Sequence, residues 1–229
     1  MYKQPVFRIS GDQGIIMEFG DTISPQIHEL VRTMILALDQ NPMVGVIEYM
    51  PSYLAIAVYY DPLITSFENL KISLTQLLVN LQEIEIASPK LIELPVCYGG
   101  EFGPDLDFVA TSHGLSQEEV IKLHSDPEYL VYMIGFTPGY PFLGGLPEAL
   151  HTPRLDTPRK KVPAGSVGIA NGQTGIYPIE SPGGWQLIGQ VPVKLFDPEK
   201  NEPFLISAGN MIKFKSIDEL EYRAIQKDN

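Results

Sequence analysis

Ser181-Pro182-Gly183-Gly184-Trp185 is the stretch of this chain best composed for backbone chemistry. Paired glycines tolerate left-handed conformations in which successive N–H groups cradle an anion, and Ser181 and Trp185 add side-chain donors. Such a loop can hold a carboxylate or a phosphate; the same five residues also make a tight turn whose tryptophan packs in the core. Shortly before it come Gln173, Thr174 and Tyr177. With a strand period of two, Gln173, Gly175 and Tyr177 share one face, so an amide and a phenol can line one pocket or simply lie half exposed on a barrel strand.

Upstream again, Arg154, Arg159, Lys160 and Lys161 fall within eight residues that contain one acid, Asp156. The rest of the chain carries 12 basic against 27 acidic residues. A positive island in an acidic protein suits a small anion, or else a solvated loop that balances nearby carboxylates. The overall charge of −12 argues against nucleic-acid and anionic-membrane binding, because those surfaces need clustered Lys and Arg.

Other chemistry is missing by pattern. There is no phosphate loop, no GxGxxG, no HExxH and no GxSxG elbow, and His28, His113, His124 and His151 have no ligand spacing, so no metal site is expected. His124 is read as a cation closing a helix. The single cysteine, Cys97, excludes an internal disulfide and is expected in a buried strand. With no apolar run near the roughly 20 residues of a membrane span and no apolar core at the N-terminus, a cytoplasmic location is the expectation.

The elements that must position these residues fall into two groups. In the first, strands at 7–9 and 15–19 flank a turn. Ser24 caps a helix with Pro25 at its first position and Ile27, Leu30, Val31, Met34, Ile35 and Leu38 on one face. Strands follow at 44–50 and 53–60, then a helix from Ser66 and a strand at 90–98. Two helices on one face of a small antiparallel sheet are predicted.

In the second group, a helix at 105–112 stops at Gly114, and Ser116 to Glu119 reads as a capping box opening a helix through His124. Short strands then recur at 128–134, 167–170, 174–179, 185–191, 204–207 and 211–214, before a helix from about residue 217. This spacing predicts a small barrel or sandwich. Residues 135–192 hold 11 of the 20 glycines and 9 of the 20 prolines yet contain these strand-like runs, so the segment is expected to be ordered and loop-rich. The fold class is α+β, with an N-terminal α/β lobe at 1–95 and a β-barrel domain with a helical connector at 96–229.

The sequence closely resembles the allophanate hydrolase subunit 1 family, which includes the B component of bacterial 5-oxoprolinase and an inhibitor of a sporulation histidine kinase. The residues that carry the resemblance are Gly135-Phe136-Thr137-Pro138-Gly139-Tyr140, Gly144-Gly145-Leu146-Pro147, Thr157-Pro158-Arg159, Val162-Pro163-Ala164-Gly165-Ser166, Gln173-Thr174-Gly175-Ile176-Tyr177-Pro178 and the Gly-Gly-Trp loop. The resemblance implies an N-terminal α/β lobe and a C-terminal cyclophilin-like barrel. It also implies partners, an allophanate hydrolase subunit 2 homologue (the C component of 5-oxoprolinase) and a third polypeptide (its A component), with which the chain opens 5-oxoproline to glutamate at the expense of ATP and Mg.

Under that resemblance Arg159, Lys160 and the amides at Gly183 and Gly184 face phosphoryl oxygens. Arg154 or the same loop holds the substrate carboxylate, and Gln173 and Tyr177 position the lactam, with Thr174, Ser181 and Trp185 around them. Two functions from other classes compete. One is a regulatory module that inhibits a histidine kinase through exposed Phe136, Tyr140, Pro141 and Phe142; the other is a component of carboxyltransferase type, as in urea carboxylase. Gln190 and Pro141 depart from the family pattern, Gln190 standing where an arginine is usual.

Overall fold

The computed structural model describes residues 1–81, 84 and 88–227, and the chain divides into two compact units, Met1–Ser88 and Pro89–Asn229. The class is α+β.

In the first unit, β1 (Val6–Ser10), β2 (Gly14–Glu18), β3 (Val46–Pro51) and β4 (Ala55–Tyr60) form an antiparallel sheet of order β1-β2-β4-β3. Alternation along the two central strands sends Ile15, Met17, Ile56 and Val58 to one face, all fully buried. Helices α1 (Pro25–Gln40) and α2 (Phe67–Val79) cover that face with Ile27, Val31, Met34, Leu70 and Leu74, as their apolar spacing predicts. Each helix starts on a serine whose hydroxyl accepts a backbone N–H, Ser24 from Ile27 at 3.3 Å and Ser66 from Asn69 at 3.3 Å.

The second unit is a closed barrel of seven strands, β5 (Leu91–Tyr98), β6 (Glu128–Ile134), β7 (Pro141–Gly144), β9 (Ser166–Ala170), β10 (Gln173–Ile176), β12 (Gln186–Gln190) and β13 (Met211–Ile217). Their order around the barrel is β10-β7-β6-β13-β5-β12-β9. All neighbours are antiparallel except β5 and β13, which run parallel from Leu91 opposite Met211 to Cys97 opposite Ile217. A separate pair, β8 (Arg159–Val162) with β11 (Ser181–Gly183), lies outside the barrel order. Helices α3 (Leu106–His113), α4 (Gln117–Ser125) and α5 (Glu219–Lys227) complete the unit. Gly114 ends α3 in the left-handed conformation at φ 66°, and the capping box forms in both directions between Ser116 and Glu119.

Several expectations fail here for identifiable reasons. Residues 204–207 contribute one isolated bridge, Phe196 with Phe204, in place of a strand. Strands β8 and β11 form where composition suggested loop, because a two-stranded ribbon tolerates Pro182 at its exposed edge. Most instructive is His124. It is fully buried, and burial drives its pKa down to about 3, so it is neutral and no helix-end cation. Its Nδ1 meets the Tyr98 hydroxyl at 2.8 Å, its Nε2 meets Thr174 Oγ1 at 2.9 Å, and its ring stacks on Phe214. Thr174 donates its own proton to the Gly168 carbonyl at 3.0 Å. The tautomer follows: Nε2–H donates to Thr174, and Nδ1 accepts from Tyr98, leaving no member of the chain unsatisfied.

Candidate functional site: an aromatic cavity beside the Gly-Gly-Trp segment

Trp185 lies two residues beyond the end of β11, and three hydrogen bonds stitch its neighbourhood to residues 153–159, the segment before β8 and the first residue of that strand. Leu155 N–H donates to the Gly184 carbonyl at 2.7 Å, Gln186 Nε2 to the Pro153 carbonyl at 3.0 Å, and Arg159 Nη1 to the Trp185 carbonyl at 3.2 Å. This stitching holds Arg154 with its guanidinium carbon 5.9 Å from the centre of the Trp185 ring, within reach of a cation–π contact.

The result is a cavity of about 270 Å³ with rings on most of its sides. Tyr140 is edge-on to Tyr177 (5.2 Å between centroids) and to Trp185 (5.8 Å), with Phe142 tilted against it. Phe136 stands at the rim, 64% exposed, with backbone in the left-handed region at φ 60°. Arg154, Pro158, Pro182, Gly183 and Gly184 complete the lining. Burial pushes the Tyr177 hydroxyl pKa up; its hydrogen bonds with the Trp185 backbone and Tyr140, and the charges of Arg154 and Arg159, pull it part of the way back.

Of the residues singled out from sequence, Arg154, Tyr177, Gly183, Gly184 and Trp185 meet at this cavity. Neither glycine has a positive φ, so the expected left-handed nest does not form. Gly183 is instead required by proximity: a Cβ there would run into the Tyr177 ring, 2.7 Å from its Cζ. Arg159 is engaged elsewhere, its Nη2 bonded at 2.6 Å to Asp105, whose other oxygen accepts the Leu187 N–H at 2.6 Å. Lys161 pairs with Glu180 at 2.9 Å, while Lys160 is exposed and has no ion pair among the described residues.

The shared face expected of Gln173, Gly175 and Tyr177 does not extend to the cavity. Strand β10 ends at Ile176, and Gln173, at its start opposite Ala170, lies outside the lining. Thr174 is sealed in the barrel on His124. Ser181 is buried, and its hydroxyl has no hydrogen-bond partner among the described residues.

In the sequence, Phe136, Tyr140, Pro141 and Phe142 read only as an exposed protein interface. Tyr140 is 2% exposed, Pro141 is buried and Phe142 half-buried, because Tyr140 and Phe142 turn inward as cavity walls. The density of rings in Gly135-Phe136-Thr137-Pro138-Gly139-Tyr140 was the available signal. Asp105, which in the sequence reads only as the first residue of the helix at 105–112, gives no local sign of this role; the helix begins one residue later, at Leu106. Gln190 donates to the Ala164 carbonyl at 2.6 Å and lies outside the lining, so its side chain here has a structural bond.

Fold and site together define an α+β protein with a closed mixed barrel that carries an aromatic, arginine-bearing cavity. Residues 5–206 match the family described as carboxyltransferase domain, subdomain C and D. The chain is 42% identical over 229 residues to the B component of the 5-oxoprolinase of Bacillus subtilis (strain 168), covering 96% of this chain and 95% of that one. Among solved structures, TTHA0988 superposes with a TM-score of 0.80 at 38% identity over 90% of this chain, which spans 40% of the TTHA0988 chain. The K. lactis urea amidolyase superposes with a TM-score of 0.80 at 21% identity over 98% of this chain and 15% of its own, a likeness of fold alone.

The chain therefore belongs to the allophanate hydrolase subunit 1 family, the group that includes the B component of 5-oxoprolinase.

Proposed function

We propose that this chain is the B component of an ATP-dependent 5-oxoprolinase, working with an allophanate hydrolase subunit 2 homologue (the C component) and a third polypeptide (the A component) to open 5-oxoproline to L-glutamate. The observation that carries this reading is the near end-to-end match to a protein named as the B component of 5-oxoprolinase, 42% identical with 96% and 95% of the two chains covered.

The chemistry suits the site. A lactam resists water, and phosphorylating its carbonyl oxygen from ATP-Mg makes it a leaving group; cations and donors that meet the phosphoryl oxygens stabilise the charge that develops. Lys160, exposed and with no ion pair among the described residues, is available for that task, whereas Arg159 supports the Trp185 segment through its carbonyl and Asp105. Tyr177, Gly183, Gly184 and Trp185 shape the substrate side of the site. On this reading the chain alone is only part of the catalytic machinery.

Reconstitution tests it. The chain, mixed with homologues of the C and A components, should release glutamate and ADP from 5-oxoproline and ATP only when all three are present. Lys160→Ala should lower turnover at least roughly tenfold, the scale of a lost charge-assisted contact. Assembly without oxoproline-dependent ADP release would discard the oxoprolinase reading. The family description favours carboxyl transfer as the next one.

A further inference from the structure

The cavity beside Trp185 combines three properties that narrow what can occupy it. Its walls are aromatic faces and edges from Phe136, Tyr140, Phe142, Tyr177 and Trp185, which suit a compact ring. Its one charged lining residue is Arg154, exposed and with no ion pair among the described residues, although acids outnumber bases 28 to 16 in the chain. None of its lining residues is acidic.

An unpaired guanidinium at an apolar wall is a fork for a planar anion, with a carboxylate matched to it bidentately. A ligand ammonium is disfavoured in the same space. Aromatic faces attract cations, but Arg154 already lies over Trp185, and a second positive charge would meet repulsion with no acid to offset it.

We propose that this cavity is a recognition site for a small cyclic carboxylate whose ring carries no charged amine, with Arg154 taking the carboxylate and the aromatic walls taking the ring. 5-Oxoproline meets the description, since its ring nitrogen is an uncharged amide; that identification rests on the oxoprolinase reading. Proline, the same ring with a charged nitrogen, does not meet it. Glutamate, the opened product, fails too, having lost the ring and gained an ammonium. The site thus separates substrate from product by charge at one nitrogen. Phe136 stands at its rim in a backbone conformation costly for a bulky residue, so its place there is held by the surrounding loop.

Trp185 is the chain's single tryptophan, so its emission reports on this cavity directly. The full chain is titrated with 5-oxoproline, cyclopentanecarboxylate, proline and glutamate, following tryptophan fluorescence and calorimetric heat. Saturable binding of the first two, with proline and glutamate at least roughly tenfold weaker, is the expected result. Arg154→Gln should weaken both cyclic carboxylates at least roughly tenfold, and Arg154→Lys should recover part of the loss by charge without the fork. Arg154 is exposed, so neither variant removes core packing.

Failure of both cyclic carboxylates to bind overturns the proposal, as does equal binding of proline or full affinity in Arg154→Gln. The two readings separate cleanly. Arg154-dependent binding without turnover in the three-component mixture keeps this site and discards the oxoprolinase. Turnover with an unchanged 5-oxoproline KM in Arg154→Gln keeps the oxoprolinase and discards this site.

Discussion

Gly183 and Gly184 look interchangeable in the sequence and differ in what surrounds them. A Cβ on Gly184 would sit 3.5 Å from Pro158, an ordinary contact, whereas one on Gly183 would collide with the Tyr177 ring. Gly183→Ala should therefore cost about 1–3 kcal/mol by overpacking and shift Trp185 emission, while Gly184→Ala should stay within about 1 kcal/mol. Urea midpoints of the two variants, read by fluorescence, check this; equal effects would remove Tyr177 as the reason for the glycine. The tryptophan's environment was legible from sequence only as two alternatives, anion loop or packed turn. The structure places it as a buried ring that forms one wall of an open cavity.

At the scale of elements, the site depends on a tie that no local pattern announces. Asp105 stands before α3 without giving a side-chain cap to it, and instead joins β12, through the Leu187 N–H, to β8, through Arg159. Both charged groups are largely buried, with side-chain exposures of 13% and 29%, so removing one strands the other. Asp105→Ala should cost about 2–4 kcal/mol and Arg159→Ala less. The double variant should fall short of their sum by at least about 1 kcal/mol, as a denaturation double-mutant cycle would show. Additive losses would mean the pair is not a working tie. The partners are 54 residues apart in the chain, which is why their pairing was invisible while the capping box of α4, confined to residues 116–119, was plain.

On the scale of the whole molecule, each unit buries a neutral histidine. Burial, with the charge of Arg32 adding to it, lowers His28 to about 4, and burial alone lowers His124 to about 3. Both lie below the ordinary value of about 6.5, so the unfolded chain takes up protons first. The stability these neutral rings contribute is present above pH 6.5 and is lost as the pH falls toward 4 and then 3. At pH 5 the loss should be about 2 kcal/mol per histidine. Trp185 lies in the second unit, so its fluorescence during urea unfolding follows His124. The midpoint should drop between pH 7 and pH 5, and His124→Gln should start lower and respond less steeply. A wild-type midpoint unchanged over that range would exclude a neutral His124 in the core.

Periodicity and punctuation determined much of this protein in advance. Apolar spacing set α1 and α2, alternation set the central strands, and Ser24, Gly114 and Ser116 marked helix ends, because those signals act within a few residues. Composition also singled out the segment that contains the cavity, and motif resemblance identified the family. Only tertiary structure decided which face each candidate shows and what it touches. The barrel closes by pairing β5 with β13, about 120 residues apart, and that closure turns Thr174 and His124 inward while it gathers Arg154, Tyr140 and Trp185 around one space. Local propensity carries no information about such contacts, since each depends on the position of a strand drawn from elsewhere in the chain.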